Sequence, residues 1–155
     1  MDESIIGIIS NVRTGLLGQK AYNLIVTDKR LIAAIVTSKM LSDAAKKQAA
    51  ESKEKGEGLL KRMASTAFSG YHYHEKYFEM TPEDILSENT ENFYLDPSMI
   101  KKISIKNGYF DEHQEKSNPH QLKIKSNNGK FVFSFSSVNP KQAKEFLSHA
   151  FVSYL

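Results

Sequence analysis

The sequence predicts a mainly β domain with helices: seven strands in a twisted antiparallel sheet that curls into a partly open barrel, capped by one C-terminal helix. Three observations predict it. Period-two alternation recurs near both ends of the chain, as Tyr22, Leu24 and Val26 and again as Phe131, Phe133 and Phe135. Turn signals break these runs, the clearest being Thr27-Asp28-Lys29-Arg30 and Asn127-Asn128-Gly129. The tail, residues 140–155, carries Ala143, Phe146, Leu147, Ala150, Phe151 and Tyr154 at the spacing of one helical stripe behind an Asn139-Pro140 cap.

The elements follow in order. An Ile-rich run ends near Arg13, and Gly15 and Gly18 frame a turn. The strand over 20–27 returns, through a turn that Asp28 suits by bonding its own backbone ahead, into Leu31–Val36. The second face of this pair, Ile25, Ile32, Ala34 and Val36, is also apolar, so the sheet is expected to be covered on both sides here. The cover is the insertion over 38–90, between strands three and four. Its first half, Ser42 to Lys55, is rich in helix formers, with Asp43–Lys47 and Glu51–Lys55 as i,i+4 pairs. Beyond Gly56 and Gly58, the residues Leu60, Ala64, Ala67, Tyr71, His74 and Phe78 form a second stripe, widened by Leu59 and Met63. Thr81-Pro82 starts a short helix ending near Glu88. A short strand follows over 92–95. Met99, Ile103 and Ile105 then face one way, with Lys102, Ser104 and Lys106 opposite, and Asn107-Gly108 marks a turn. The stretch 113–119 reads as a polar loop before Leu122 and Ile124, which alternate with Lys123 and Lys125. Burial of Phe146, Phe151 and Tyr154 would contribute on the order of 10 kcal/mol before entropy costs, so the last helix is integral to the fold.

Bulk properties bound the function. The 155 residues suit one domain, with 40% hydrophobic and 25% charged residues, as in ordinary globular chains. The formal net charge of +3 lacks the dense basic cluster of a nucleic-acid binder, and no nucleic-acid partner is expected. There is no cysteine, which excludes disulfides and thiol chemistry. The acidic start Met-Asp-Glu-Ser and the short run at residues 5–9 do not match a signal peptide or a spanning helix. A soluble cytoplasmic protein is the expectation, with peripheral membrane attachment as the second reading.

Three stretches resemble the pleckstrin-homology-like (PH-like) superfold, and within it the bacterial PH and GRAM-like domains. They are YNLIVTDKRLIAAI at 22–35, DPSMIKKISIK at 96–106, and the Lys-Ile-Lys hairpin with the Phe-rich strand and closing helix. Together they cover about two-thirds of the chain, and the insertion departs from a minimal domain of this type. The resemblance implies a binding module, with lipid or anion contacts around the first strand pair. The matching positions are Arg13, Leu16, Leu17 and Lys20, joined by Lys29 and Arg30 at the next turn. Two basic residues near the first turn are few for a multiply charged headgroup, which needs converging donors. Leu16 and Leu17 either dip into a membrane or fold back onto the core, and Asp28-Lys29-Arg30 is either a plain turn or an anion contact.

Other constellations carry two readings each. Lys101, Lys102, Lys106, Lys123, Lys125 and Lys130 share an outer face if their strands pair, as a solvated face or as a surface for an acidic partner. Tyr71-His72-Tyr73-His74 invites a metal, but positions i and i+2 of a helix face apart and no third ligand follows at a convincing spacing, with His113 and His120 in a distant loop, so neither metal nor cofactor is expected. No phosphate loop, nucleophile elbow or His–carboxylate motif is present. The expected function is therefore a non-enzymatic module that docks a protein partner, or associates with itself, through the barrel edge and the inserted helices. Leu59, Leu60, Met63, Tyr71 and Phe78 would form that interface. Peripheral membrane or anionic-lipid binding through the first turn is the alternative.

Overall fold

The computed structural model describes residues 2–15, 19–54, 73–111, 113 and 116–155. Seven strands form one antiparallel sheet: β1 (Ile5–Thr14), β2 (Lys20–Thr27), β3 (Leu31–Val36), β4 (Phe93–Leu95), β5 (Ile100–Lys106), β8 (His120–Ser126) and β9 (Gly129–Phe135). Their order is β4-β3-β2-β1-β9-β8-β5, so the last strand lies beside the first and β4 and β5 are free edges. The sheet curls without closing. One apolar cluster takes Ile9 and Val12 from β1, Leu24 from β2, Leu31 from β3, Leu95 from β4, Ile103 from β5, Leu122 from β8 and Phe133 from β9. Helix α3 (Pro140–Phe151) lays Ala143, Leu147 and Phe151 into the same cluster. It starts at the expected cap, where Asn139 Oδ1 accepts from the Gln142 N–H at 2.7 Å. Gly7 on β1 makes room for this helix: a Cβ there would stand 2.7 Å from three ring atoms of Phe146.

Bulges set which residues reach the interior. Ile9 pairs with Leu24 and Val12 with Tyr22, so three residues of β1 span two of β2. The extra residue lets Ile9 and Val12, three apart, face the same side, and Asn11 adopts a left-handed φ of 53°. A second bulge lies between Ile100 and Lys102. The expected inward set of Met99, Ile103 and Ile105 packs in or against the interior cluster, and the bulge adds Ile100 to it; Met99 reaches the cluster from the end of a short 3-10 turn (Pro97–Met99). The hairpin signal acts as expected, with Ser126 opposite Gly129, whose φ is 131°.

The outer face of β1–β3 is covered, as the apolar pattern implied. Ile8, Ile25, Ile32 and Ala34 pack against Tyr77 and Ile85, which come from the insertion. Helix α1 spans Ser38–Glu54. It starts four residues before the expected Ser42 because the Thr37 hydroxyl caps it, accepting from the Met40 N–H at 3.1 Å. Residues Tyr73–Glu79 are a 3-10 helix and not the end of an α-helical stripe. At the described end of the expected stripe, Tyr77 is buried, whereas Phe78 is 55% exposed; the stripe's positions from Leu60 to Tyr71 lie outside the described residues. The short helix α2 (Pro82–Ser87) begins as expected, with Thr81 Oγ1 accepting from the Asp84 N–H. Asn92 then ties the insertion to the edge of β3, accepting from the Ile35 N–H and donating to the Ile85 carbonyl, both at 2.8 Å.

Two strands were not expected. β6 (Tyr109–Asp111) and β7 (Lys116–Asn118) pair as a separate ribbon, and β7 falls within the 113–119 stretch read as a polar loop. Lys-Ser-Asn is polar at every position, so it carries no alternation to read. No helix among the described residues is long and apolar enough to cross a membrane.

Candidate functional site

The outer face of the second half of the sheet gathers positive charge by register. Because Ile103 and Ile105, Leu122 and Ile124, and Phe133 and Phe135 point inward, the residues between them point out. Lys102 lies opposite Lys125, and Lys125 opposite Lys130. In the next outward row, Ser104 faces Lys123 and Lys123 faces Val132. In the third, Lys106 faces Gln121, Gln121 faces Ser134, and Ser134 faces Arg13 of β1. Arg13 and Lys130 border one groove of about 430 Å³ with Gln121, Val132 and Ser134. None of these six cations is paired with a carboxylate among the described residues. Lys101, in the second bulge, falls outside the rows.

A second concavity lies on the other side of Arg13. A cleft of about 580 Å³ is lined by Ser10, Asn11 and Asn23 with Val36, Leu41, His74 and Val138 among others. Its floor is the first bulge, held by Asn23 Oδ1 accepting from the Asn11 N–H at 2.9 Å. This explains why Asn23 is a buried polar residue in an otherwise apolar strand.

The remaining predicted contacts are dispersed. Lys20 reaches Glu91 at 3.3 Å in an exposed pair. Arg30 is enclosed: its guanidinium meets Glu3 at 2.9 Å and Glu83 at 2.8 Å, and lies 5.0 Å from the centre of the Tyr94 ring. Hydrogen bonding to Glu3 raises its already high pKa. The turn itself rests on Thr27, not on Asp28 bonding ahead. Thr27 Oγ1 accepts from the N–H groups of Lys29 and Arg30, while Asp28 Oδ1 accepts from the Ser4 N–H at 2.9 Å. Lys29 is exposed beside a groove that also holds Phe78. Leu16, Leu17, Leu59, Leu60, Met63 and Tyr71 lie outside the described residues, as does His72. Among the described residues no group of three His, Cys, Asp or Glu is placed to hold a metal.

One polar cluster had no signal in the sequence. Lys76 Nζ bonds Glu88 Oε1 and, at 2.7 Å, the Tyr73 hydroxyl, and it lies over the rings of Tyr73 and Tyr77. Desolvation lowers the Lys76 pKa, but the bonds to Glu88 and Tyr73 outweigh it and the net shift is upward. Burial, reinforced by the Glu88 charge, raises the Tyr77 hydroxyl well above the usual phenol range. That hydroxyl and Glu88 Oε2 are buried with no hydrogen-bond partner among the described residues. The cluster sits beneath α2 and joins the insertion to itself, a structural use of charge.

Of the predicted anion contacts among the described residues, the fold therefore brings only Arg13 into the lysine rows. Comparison with known proteins finds no matching family model, no matching curated protein and no matching solved structure.

Proposed function

We propose that the chain is a non-enzymatic, PH-like binding module whose working surface is the lysine-rich outer face of β5, β8, β9 and β1, and that this surface takes a polyanionic partner. The observation that carries the reading is the register: Lys102, Lys125 and Lys130 stand side by side on three adjacent strands with no carboxylate between them. Like charges directly opposite one another destabilise a sheet. A solvated face that only discouraged aggregation would be served as well by mixed charge. The seven-stranded sheet, with β9 beside β1 and α3 in its mouth, supports the PH-like part of the proposal.

The test is binding of heparin and of poly-glutamate to the full chain at low and high salt. Both should bind at low salt, and Lys102→Gln, Lys125→Gln and Lys130→Gln together should remove the binding. Undiminished binding by the triple variant would move the site elsewhere and end this reading.

A second reading is docking of a protein partner, or self-association, through the insertion, favoured by Phe78, which is 55% exposed beside Met80 and Pro82. Phe78→Ser should then shift the sedimentation coefficient of the concentrated protein. An identical coefficient for the variant and the parent chain counts against self-association.

A further inference from the structure

The layout of the basic face narrows the partner's chemistry, an inference that rests on the polyanion reading above. Along each strand its outward side chains are about 7 Å apart, and across strands about 5 Å, so the ammonium groups spread over a patch about 14 Å wide. They do not converge on a point. The central strand of the patch, β8, is laddered on both sides, to β5 and to β9, so its amides are spent in the sheet. Specific headgroup recognition needs converging, charge-assisted donors, and this face supplies a diffuse field instead.

The same rows disfavour the other polyanions. Between the cations stand Ser104, Gln121, Val132 and Ser134, of which only Val132 is apolar. Protein interfaces draw most of their energy from buried aromatic and apolar anchors, and lysine is depleted at their centres. Single-stranded nucleic acid wants aromatic platforms, but Phe133 and Phe135 are buried in the interior and Phe131 packs against it. A flat anionic bilayer asks only for summed charge at short range. Six cations lie on this one face, against a formal net charge of +3 for the whole chain, so the remaining residues sum to −3 and the positive charge is concentrated here.

We infer that this face seats the domain on an anionic membrane surface by its total charge, without selecting a headgroup. Each lysine contributes about fivefold in partition, from roughly 1 kcal/mol per basic residue near an anionic leaflet. Arg13 acts here as one charge of the field.

The experiment is vesicle co-sedimentation of the full chain. The vesicles are phosphatidylcholine alone, or phosphatidylcholine carrying phosphatidylserine, phosphatidylglycerol or phosphatidylinositol bisphosphate at matched surface charge. Partition should be equal on the three anionic surfaces, absent on phosphatidylcholine, and strongly weakened as salt shortens the screening length. Lys102→Gln, Lys125→Gln and Lys130→Gln together should lower it about a hundredfold. The same number of changes on the helices, Lys39→Gln, Lys141→Gln and Lys144→Gln, should lower it far less. A tenfold preference for one headgroup at matched charge would overturn the inference, as would equal losses in the two triple variants. Binding of heparin or poly-glutamate with no vesicle binding would overturn the membrane partner and leave the polyanion reading standing. Failure of all the probes would remove both.

Discussion

Replacing Lys125 by Glu should make the protein more stable while weakening its hold on anions. Lys125 stands directly between Lys102 and Lys130, with its side chain exposed. Cross-strand pairs are worth roughly 0.2–1 kcal/mol each, unfavourable for like charges and favourable for opposite ones. The substitution converts two repulsive neighbours into two attractive ones. Taking the lower part of that range for an exposed site gives a gain of about 1 kcal/mol. For a chain of this size that is a rise of about 2–4 °C in Tm. The assay is thermal unfolding followed by circular dichroism at two ionic strengths. The Debye length falls from about 30 Å at 0.01 M to about 8 Å at 0.15 M, so the gain should shrink as salt is added. Lys125→Gln should give about half the effect. A variant with unchanged or lower Tm at low salt would refute the reasoning, because the lysine row would then carry no electrostatic cost.

Other expectations concern the packing. Gly7→Ala should cost about 1–3 kcal/mol by pushing Phe146 off β1, and Phe146→Leu in the same chain should recover part of it; urea unfolding of the single and double variants measures both. Arg30→Met should cost about 2 kcal/mol, because Glu3, held by the Thr27 hydroxyl, would keep its enclosed carboxylate without its cation, and Glu3→Gln added to it should restore some of the loss. Tyr77→Phe should flatten the alkaline limb of the stability profile, since it removes a phenol whose pKa is raised by burial and by the Glu88 charge. The folded-state pKa values of Tyr73, Lys76 and Tyr77 are all raised, so the stability they lend is whole below pH about 10 and is lost as pH climbs through the raised values. Unfolding midpoints measured from pH 8 to 11 should therefore fall more steeply in the parent chain than in the variant.

Much of the fold was legible because its signals are local. Phe131, Phe133 and Phe135 alternate, the Asn-Asn-Gly hairpin needs a positive φ, and Asn139 and Thr81 each precede a proline that can only begin a helix. The apolar outer side of β2 and β3 announced a cover, and Tyr77 and Ile85 provide it. Errors fell where one residue decides the phase. A bulge turned Ile100 inward, and Tyr77 took the buried place expected of Phe78. Both are settled by what the neighbouring strand can accommodate, which a run of residue types does not record.

The candidate site divides the same way. Alternation within a strand depends only on the pleat, so the chain alone set Lys102, Lys106, Lys123, Lys125 and Lys130 against the isoleucines and phenylalanines between them, whereas Lys101, read with the same face, falls in a bulge outside the rows. Which lysines stand abreast was settled by strand pairing, and Arg13 joined them because β9 returns to β1 across 121 positions of sequence, from Ser134 to Arg13. Arg30 looked equally basic and became enclosed by Glu3 and Glu83. The charge of a side chain is written in its type, but whether that charge is spent or free depends on which distant carboxylates the fold brings within about 4 Å.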